Sequence, residues 1–336
     1  MRVLLWHVHG SWTTSFVQGR HDYLLPVVPD RGPDGLGRAR TWDWPSRAVE
    51  VAPERLAAED IDIIVLQRTS DLGLAEKWTG RRPGRDIPAV YVEHNTPGGN
   101  AATTRHALAD QREIPIVHVT HFNRLFWDCG FARTRVVEHG IVDPGHHYSG
   151  EWPRAAVAIN DPVRRWRAVG ADLLPLLSAA APLDVFGMNV HSLADEVDIP
   201  AERLWTFEDL AQSDMHQEMA RRRVYLHTSR WTSLGLSLLE AMHLGMPVVA
   251  LATTEAVRAV PPQAGVVSTR VEELASAVWR FVHDPSAAQA AGAAAREAAL
   301  SRYGLGRFLA DWDALLGEMS ADWSSPVGSS APEVVA

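Results

Sequence analysis

Short runs of apolar residues, many of them β-branched, alternate along the chain with amphipathic stretches that have helical spacing. This alternation is typical of βα units built around a parallel sheet. One series of strand candidates fills the first half of the chain, and a second series starts after residue 150. The predicted strands are Val3–Val8, Ile61–Leu66, Ala89–Val92, Ile116–Val119, Val136–Glu138, Ala155–Ile159, Leu183–Phe186, Leu204–Phe207, Val224–His227, Val248–Leu251 and Gly265–Val267.

The restart of the pattern predicts two α/β domains, at residues 1–147 and 148–300, which suits a chain of 336 residues. The segment Gly19–Pro45 is rich in Gly, Pro, Arg and Asp and predicts a long loop. Residues 301–319 predict a last helix, and the Ser-, Pro- and Ala-rich residues 320–336 predict a disordered tail. The other predicted helices are Asp172–Ala180, Met215–Arg222, Leu236–Leu244, Val271–Asp284 and Ser286–Ala299.

Composition narrows the class of protein. A net charge of -9 argues against sequence-independent binding to nucleic acid, so no nucleic-acid partner is expected. No apolar run approaches the ~20 residues that cross a bilayer, and the single cysteine, Cys129, cannot form an internal disulfide. These features predict a cytoplasmic protein without a transmembrane segment. The only lysine is Lys77, so a site that needs several cations must use arginine.

The most informative stretch runs from Thr228 to Ala250 and predicts a strand, a turn, a helix and a second strand. Gly235 allows the backbone to approach a ligand closely, and the free N–H groups at the start of the next helix suit a phosphate. Glu240 lies one to two turns inside that helix, where a carboxylate can reach a ribose hydroxyl pair. Glu240 could instead be a solvated helix residue, but its neighbours are apolar.

This stretch resembles the signature of retaining nucleotide-sugar glycosyltransferases of the GT-B fold, the family 4 type within glycosyl transferases group 1. The resemblance implies an α/β fold in which two Rossmann-like parallel-sheet domains, one for the acceptor and one for the donor, face each other across a cleft. It makes Glu240 the ribose-binding second Glu of the family pair. The first Glu is replaced by Thr232, and the Gly that follows it by Ser233. The donor diphosphate is then expected on Thr232, Ser233, Leu234, Gly235 and Leu236.

A weaker match opens the second domain. Aligning Gly170-Ala-Asp-Leu-Leu174 with the family segment puts Arg164 on its phosphate-binding arginine and Val169 on its lysine. The second positive charge would then come from Arg165 or Arg167, because guanidinium binds phosphate well. The alternative is an exposed basic helix start.

The first domain supplies three further candidates. His94 follows a predicted buried strand, where side chains point into the ligand cleft of an open α/β sheet. It resembles the family's cleft histidine, although an ordinary loop residue is the alternative. Gly10 and Ser11 form the predicted turn after the first strand and resemble the loop on the acceptor side.

The resemblance implies a bacterial-like, metal-independent glycosyltransferase that moves a sugar, with retention, from a nucleotide diphosphate to a small-molecule, glycan or lipid-linked acceptor. No cofactor is expected, and the histidines lack the spacing of a defined zinc site. Thr232 and Val169 leave two alternatives open: a nucleotide-sugar-binding protein with little or no transferase activity, or a nucleotide-sugar epimerase. Absence of G-x-G-x-x-G and Gly-x-Ser-x-Gly weighs against a dehydrogenase and an esterase. The oligomeric state is not predicted.

Overall fold

The computed structural model describes residues 1–324, and its first sheet is fully parallel with seven strands. Their order in the sheet is β3-β2-β1-β4-β5-β6-β7, and in the register Val3 lies opposite Tyr23 on one side and Ile63 on the other. The strands are β1 (Arg2–Leu5), β2 (Asp22–Pro26), β3 (Ala48–Val51), β4 (Ile63–Leu66), β5 (Ala89–Glu93), β6 (Ile116–His118) and β7 (Thr134–Val136).

The second sheet is also parallel and has six strands in the order β10-β9-β8-β11-β12-β13. In both sheets the chain reverses its direction of winding beside the first strand, which is where open α/β sheets bind ligands. The predicted fold class, two Rossmann-like α/β domains, is confirmed. These strands are β8 (Trp152–Ala158), β9 (Leu183–Gly187), β10 (Leu204–Glu208), β11 (Arg222–His227), β12 (Val248–Leu251) and β13 (Gly265–Ser268).

Helices cover both faces of each sheet, as the right-handed crossovers of a parallel sheet require. Short 3-10 turns lie at Pro53–Ala58, Trp166–Ala168, Ala171–Leu173 and Ala201–Arg203. The α-helices are α1 (Gly10–Phe16), α2 (Ser70–Thr79), α3 (His121–Phe126), α4 (Pro162–Arg165), α5 (Leu174–Ser178), α6 (Leu193–Glu196), α7 (Gln212–Ala220), α8 (Leu236–Leu244), α9 (Ala256–Ala259), α10 (Val271–His283), α11 (Pro285–Tyr303) and α12 (Leu305–Ser324).

The prediction of a long loop at Gly19–Pro45 is wrong near its start, because β2 forms there. The strand is only five residues long and ends in Pro26, so its sequence signal is weak. It is held by pairing on both sides, with β1 and with β3, and Tyr23 and Leu25 are buried in the core.

Gly10 and Ser11 do not form a turn, because they begin α1. The sequence of this helix, Gly-Ser-Trp-Thr-Thr-Ser-Phe, contains no strong helix former. Tertiary packing overrides this weak propensity, since Trp12 and Phe16 are each 1% exposed and their rings stack with centroids 4.9 Å apart.

The last helix, α12, packs on the first domain after the chain has completed the second. Phe308, Trp312 and Leu316 are buried in the same core cluster as Trp12 and Phe16. The helix continues to Ser324, so the start of the predicted tail at residue 320 is wrong. Residues 318–324 contain neither proline nor glycine, so nothing in this segment stops the helix. Residues 325–336 of the predicted tail lie outside the described residues.

We expect Trp312→Ala to destabilise the first domain by about 3–5 kcal/mol, because it removes a large aromatic side chain from a packed core. Trp312 is 1% exposed and its ring meets Trp12 edge-on at 5.6 Å between centroids. Trp323→Ala in the same helix is the matched control, because Trp323 is 42% exposed. Urea denaturation of both variants measures the difference, and equal midpoints would contradict this role of α12.

Candidate functional site

A cleft of about 770 Å³ separates the carboxyl ends of the two sheets. From the second domain it is lined by residues that end or follow β8, β9, β10 and β11, and by the first turn of α8. The first domain contributes the start of α1 and Trp42. The cleft therefore lies at the edge where parallel sheets bind ligands, in both domains at once.

Glu240 is the central polar side chain of this cleft. It is 3% exposed, and its carboxylate accepts hydrogen bonds from Ser11 Oγ at 3.1 Å and from Gln212 Nε2 at 2.9 Å. His216 Nε2 lies 3.3 Å from Glu240 Oε2. Burial raises the pKa of the carboxyl, but His216, Ser11 and Gln212 together outweigh it and the pKa falls below its ordinary value. Glu240 is thus a buried anion on the cleft wall. The alternative that Glu240 is a solvated helix residue is excluded.

Contacts between the domains surround Glu240. Ser11 reaches it from α1, and Trp42 of the first domain donates its indole N–H to Gln212 Oε1. Further along the interface, Trp231 donates its indole N–H to the carbonyl of Pro97 at 2.9 Å. The two domains are therefore joined by hydrogen bonds at two separate places beside the cleft.

The turn before α8 presents its backbone to the cleft. Leu234, Gly235 and Leu236 line it, whereas the hydroxyl of Ser233 is buried against Thr120 Oγ1 at 3.2 Å. A Cβ at Gly235 would lie 2.6 Å from Cε1 of His227, so only glycine fits here. The result is a helix start whose N–H groups face open space, which suits an anion.

Thr232 lines the cleft at the position of the family's first Glu. Within residues 1–324 its side chain makes no hydrogen bond. Among the described residues that line the cleft, the only carboxylate apart from Glu240 is that of Asp209, which is exposed. Thr232 thus leaves this part of the cleft without an acidic side chain.

The arginines after β8 divide into two groups. Arg164, the first choice from the sequence, is exposed and pairs with Asp161 at 2.5 Å, away from the cleft lining. Arg167 is also exposed and pairs with Asp172 at 3.0 Å. Arg165 lines the cleft and has no ion-pair partner within the described residues. Burial, and then Arg164, lower the pKa of Arg165 from its ordinary value. Arg165 is the guanidinium that the structure brings to the cleft.

His94 lies behind the cleft lining rather than on it. Gln67 donates its amide to the carbonyl of Trp6 at 2.6 Å, which turns Gln67 Oε1 toward His94 Nε2 at 3.0 Å. His94 therefore carries its proton on Nε2. Burial lowers the pKa of His94 well below its usual range, so the ring is neutral. His9, which does line the cleft, covers His94 with ring centroids 4.0 Å apart.

Several cleft residues were not among the sequence candidates. Gln212 and His216 are one turn apart on α7 and hold Glu240 from the same side. Their i, i+4 spacing was visible in the sequence, but nothing local connects it with Glu240. Phe207 also lines the cleft, and its ring stacks at 4.7 Å between centroids on Phe186, which is fully buried. Half-buried Phe207 gives the cleft an apolar surface for a flat ring.

Within residues 1–324, no group of three or more His, Cys, Asp and Glu side chains is arranged to hold a metal ion. None of the helices in these residues is both long enough and apolar enough to cross a membrane.

Comparison with known protein families finds a match within the second domain. The family model described as glycosyl transferases group 1 matches residues 183–298, which include α7, α8 and the turn before α8. No curated protein matches the chain.

Solved structures similar to the whole chain include sucrose-phosphate synthase from Thermosynechococcus elongatus, with 12% identity and a TM-score of 0.73 over 96% of this chain and 100% of that one. HepE from Anabaena, in complex with UDP and glucose, has 14% identity and a TM-score of 0.71, over 94% and 99% of the two chains.

A TarM mutant from S. aureus, in complex with fondaparinux, alpha-GlcNAc-glycerol and UDP, has 14% identity and a TM-score of 0.59. That alignment covers 76% of this chain and 55% of the TarM chain, so this chain spans about half of TarM. The predicted resemblance is confirmed: the chain has the GT-B fold of these structures, and residues 183–298 of its second domain match the glycosyl transferases group 1 model.

Proposed function

We propose that the protein transfers a sugar from a nucleotide diphosphate donor to a hydroxyl-bearing acceptor, with retention at the anomeric carbon and without a metal ion. The observation that carries this proposal is Glu240, a buried anion in the helix whose N-terminus opens into the cleft. A carboxylate one turn behind a phosphate-binding helix start is suited to a ribose, because two vicinal hydroxyls can donate to its two oxygens. HepE and the TarM mutant were both solved with UDP, which supports a nucleotide in the same fold.

The donor is placed along the wall of the second domain. Its base lies against Phe207, and its ribose hydroxyls replace Ser11 and Gln212 on Glu240. The diphosphate lies over the backbone of Gly235 and Leu236, opposite Arg165. A diphosphate held by a guanidinium and a helix start has its charge neutralised by the protein, which is the basis for proposing that no metal is needed.

The reaction breaks the bond between the anomeric carbon and the diphosphate oxygen. The acceptor hydroxyl oxygen forms the new bond on the same face, and its proton passes to the departing diphosphate. Stabilising that leaving group and holding the acceptor close supply most of the rate increase that such a site can provide. We place the acceptor beside Gly10 and Ser11, with His9 supported by His94 at the reacting end. The acceptor is a small molecule, a glycan or a lipid-linked sugar. A family 4 assignment and a cytoplasmic location remain predictions.

A second candidate function rests on Thr232. In the glycosyltransferase family that the sequence resembles, the first Glu of the pair approaches hydroxyls of the donor sugar. Thr232 supplies no carboxylate at that position. A protein that binds a nucleotide sugar but turns it over slowly or not at all fits this difference. An epimerase is the third candidate.

We expect Glu240→Gln to weaken nucleoside diphosphate binding ~10–100-fold, the loss typical of hydrogen bonds to a charged group. Isothermal titration calorimetry with UDP, GDP, ADP and dTDP measures it. Glu297→Gln on the exposed face of α11 is the matched control and should bind like the wild-type protein. Equal affinities of the Glu240→Gln variant and the wild type would contradict the placement of the ribose.

The two neighbouring arginines give a second test. We expect Arg165→Ala to weaken binding of the diphosphate at least ~10-fold, because it removes the one guanidinium that residues 1–324 place on the cleft lining. Arg164→Ala should cost less than about 1 kcal/mol, since its ion pair with Asp161 is exposed. The same titration compares them, and a larger loss for Arg164→Ala would show that the sequence alignment, not the cleft geometry, locates the phosphate.

Product analysis separates the three candidate functions. The wild-type protein is incubated with a donor panel, with and without mixed sugar and lipid acceptors, and the products are followed by NMR. We expect a transferred sugar whose anomeric coupling matches that of the donor. An inverted product would rule out retention, binding without turnover would favour the second candidate, and a changed donor sugar without acceptor would indicate an epimerase.

A further inference from the structure

His227 is a buried ring in the donor cleft with an unused hydrogen-bonding atom. It ends β11, lines the cleft and is 3% exposed. Its Nδ1 is buried and has no hydrogen-bond partner within residues 1–324. The Cε1 corner of the ring, between its two nitrogens, faces Gly235 at the start of α8. A ligand over that helix start would therefore lie beside the ring.

The charges on the cleft lining do not match a diphosphate. Two carboxylates, Glu240 and Asp209, face a single guanidinium, Arg165. The only lysine, Lys77, lies on α2 in a different cavity. A nucleotide sugar brings two further negative charges. One arginine and a helix start leave part of that charge without a counterion, and burying unpaired charge is costly.

Two cleft residues, His9 and His227, are able to gain a positive charge. His9 belongs to the first domain and packs on His94, and burial, followed by Arg68, lowers its pKa to about 4. His227 is on the domain that carries the helix start. Thr228, the next residue, donates its hydroxyl to the carbonyl of Val169 at 2.6 Å, which joins β11 to the segment behind Arg165. His227 and Arg165 are therefore on the same side of the cleft as the proposed diphosphate.

We propose that His227 takes up a proton when a nucleotide sugar enters the cleft, and so supplies the second positive charge of the diphosphate site. This inference rests on the proposed function. The proton comes from solvent and is released again when the ligand leaves, so no bond of the donor changes in this step. If His227 has this role, the site needs no basic side chain at the position of Val169.

The surroundings of His227 allow such a change of charge. Burial alone lowers its pKa to about 4, so the ring is neutral at neutral pH in the empty cleft. On its own strand it faces Tyr225, whose hydroxyl is already bonded to Ser237 of α8 at 3.0 Å. The charged groups on the elements around it are Glu240 of α8 and Arg165 of α4; His9 of the first domain and Asp209, which follows β10 of the second, also line the cleft. A diphosphate adds the negative charge that raises the pKa of the ring.

Calorimetry with UDP-glucose and GDP-mannose tests the inference, because the diphosphate of a nucleotide sugar does not itself titrate near neutral pH. Titrations in buffers of different ionisation enthalpy count the protons taken up. We expect the wild-type protein to take up protons and its affinity to fall ~10-fold or more from about pH 6 to about pH 8.5, since one linked proton changes affinity up to tenfold per pH unit.

The His227→Gln variant should bind with the wild-type protein's high-pH affinity and show neither proton uptake nor pH dependence. His9→Gln is the comparison for the other cleft histidine and should keep the pH dependence. A pH dependence that survives His227→Gln, or that disappears in His9→Gln, would overturn the inference and leave the proposed function standing. Failure of every nucleotide sugar to bind the wild-type protein would overturn both.

An NMR measurement on the wild-type protein does not depend on the fold of a variant. The Cε1–H resonance of His227 should move to the position of a charged imidazole when the nucleotide sugar is added at neutral pH. A ring that stays neutral at saturation would contradict the inference.

Discussion

A buried carboxylate governs the arrangement of the two domains around the cleft. Glu240 is 3% exposed, and an ionised carboxylate in such a place is stable only if its oxygens are hydrogen-bonded. Its partners come from both sides: Ser11 from the first domain, and Gln212 and His216 from the second. The empty protein thus satisfies Glu240 with its own side chains. A ligand that binds the carboxylate must supply hydrogen-bond donors in place of these side chains, and two ribose hydroxyls do so.

The remaining chemistry of the cleft follows from its small number of permanent charges. Arg165 is the guanidinium on the lining, and Arg164 and Arg167 are engaged with Asp161 and Asp172. His94, behind the cleft lining, is kept neutral by burial, which lowers its pKa well below the usual range. An anionic ligand therefore meets one fixed cation, a helix start and neutral rings. Such a site gains much of its positive charge only when the ligand is present.

The sequence predicted the parts of the site that depend on neighbours along the chain. The bounds of α8 and β12 agree with the structure, because Gly235, the apolar run around Glu240 and Pro247 form a continuous local signal. The sequence could not predict contacts between residues that are far apart along the chain. Nothing near Glu240 in sequence indicates Gln212 or Ser11, and β2 forms only because strands on both sides pair with it.

The sequence also could not show which of two adjacent arginines lines the cleft. Arg164 and Arg165 are adjacent in a helix of four residues, so they point in different directions, and only the fold shows which one meets the cleft. The most direct test of the account is a crystal structure of the protein with UDP. The account predicts the diphosphate over Gly235 and the ribose hydroxyls on Glu240, with Ser11 displaced from the carboxylate. UDP bound elsewhere, with Glu240 still bonded to Ser11 and Gln212, would contradict it.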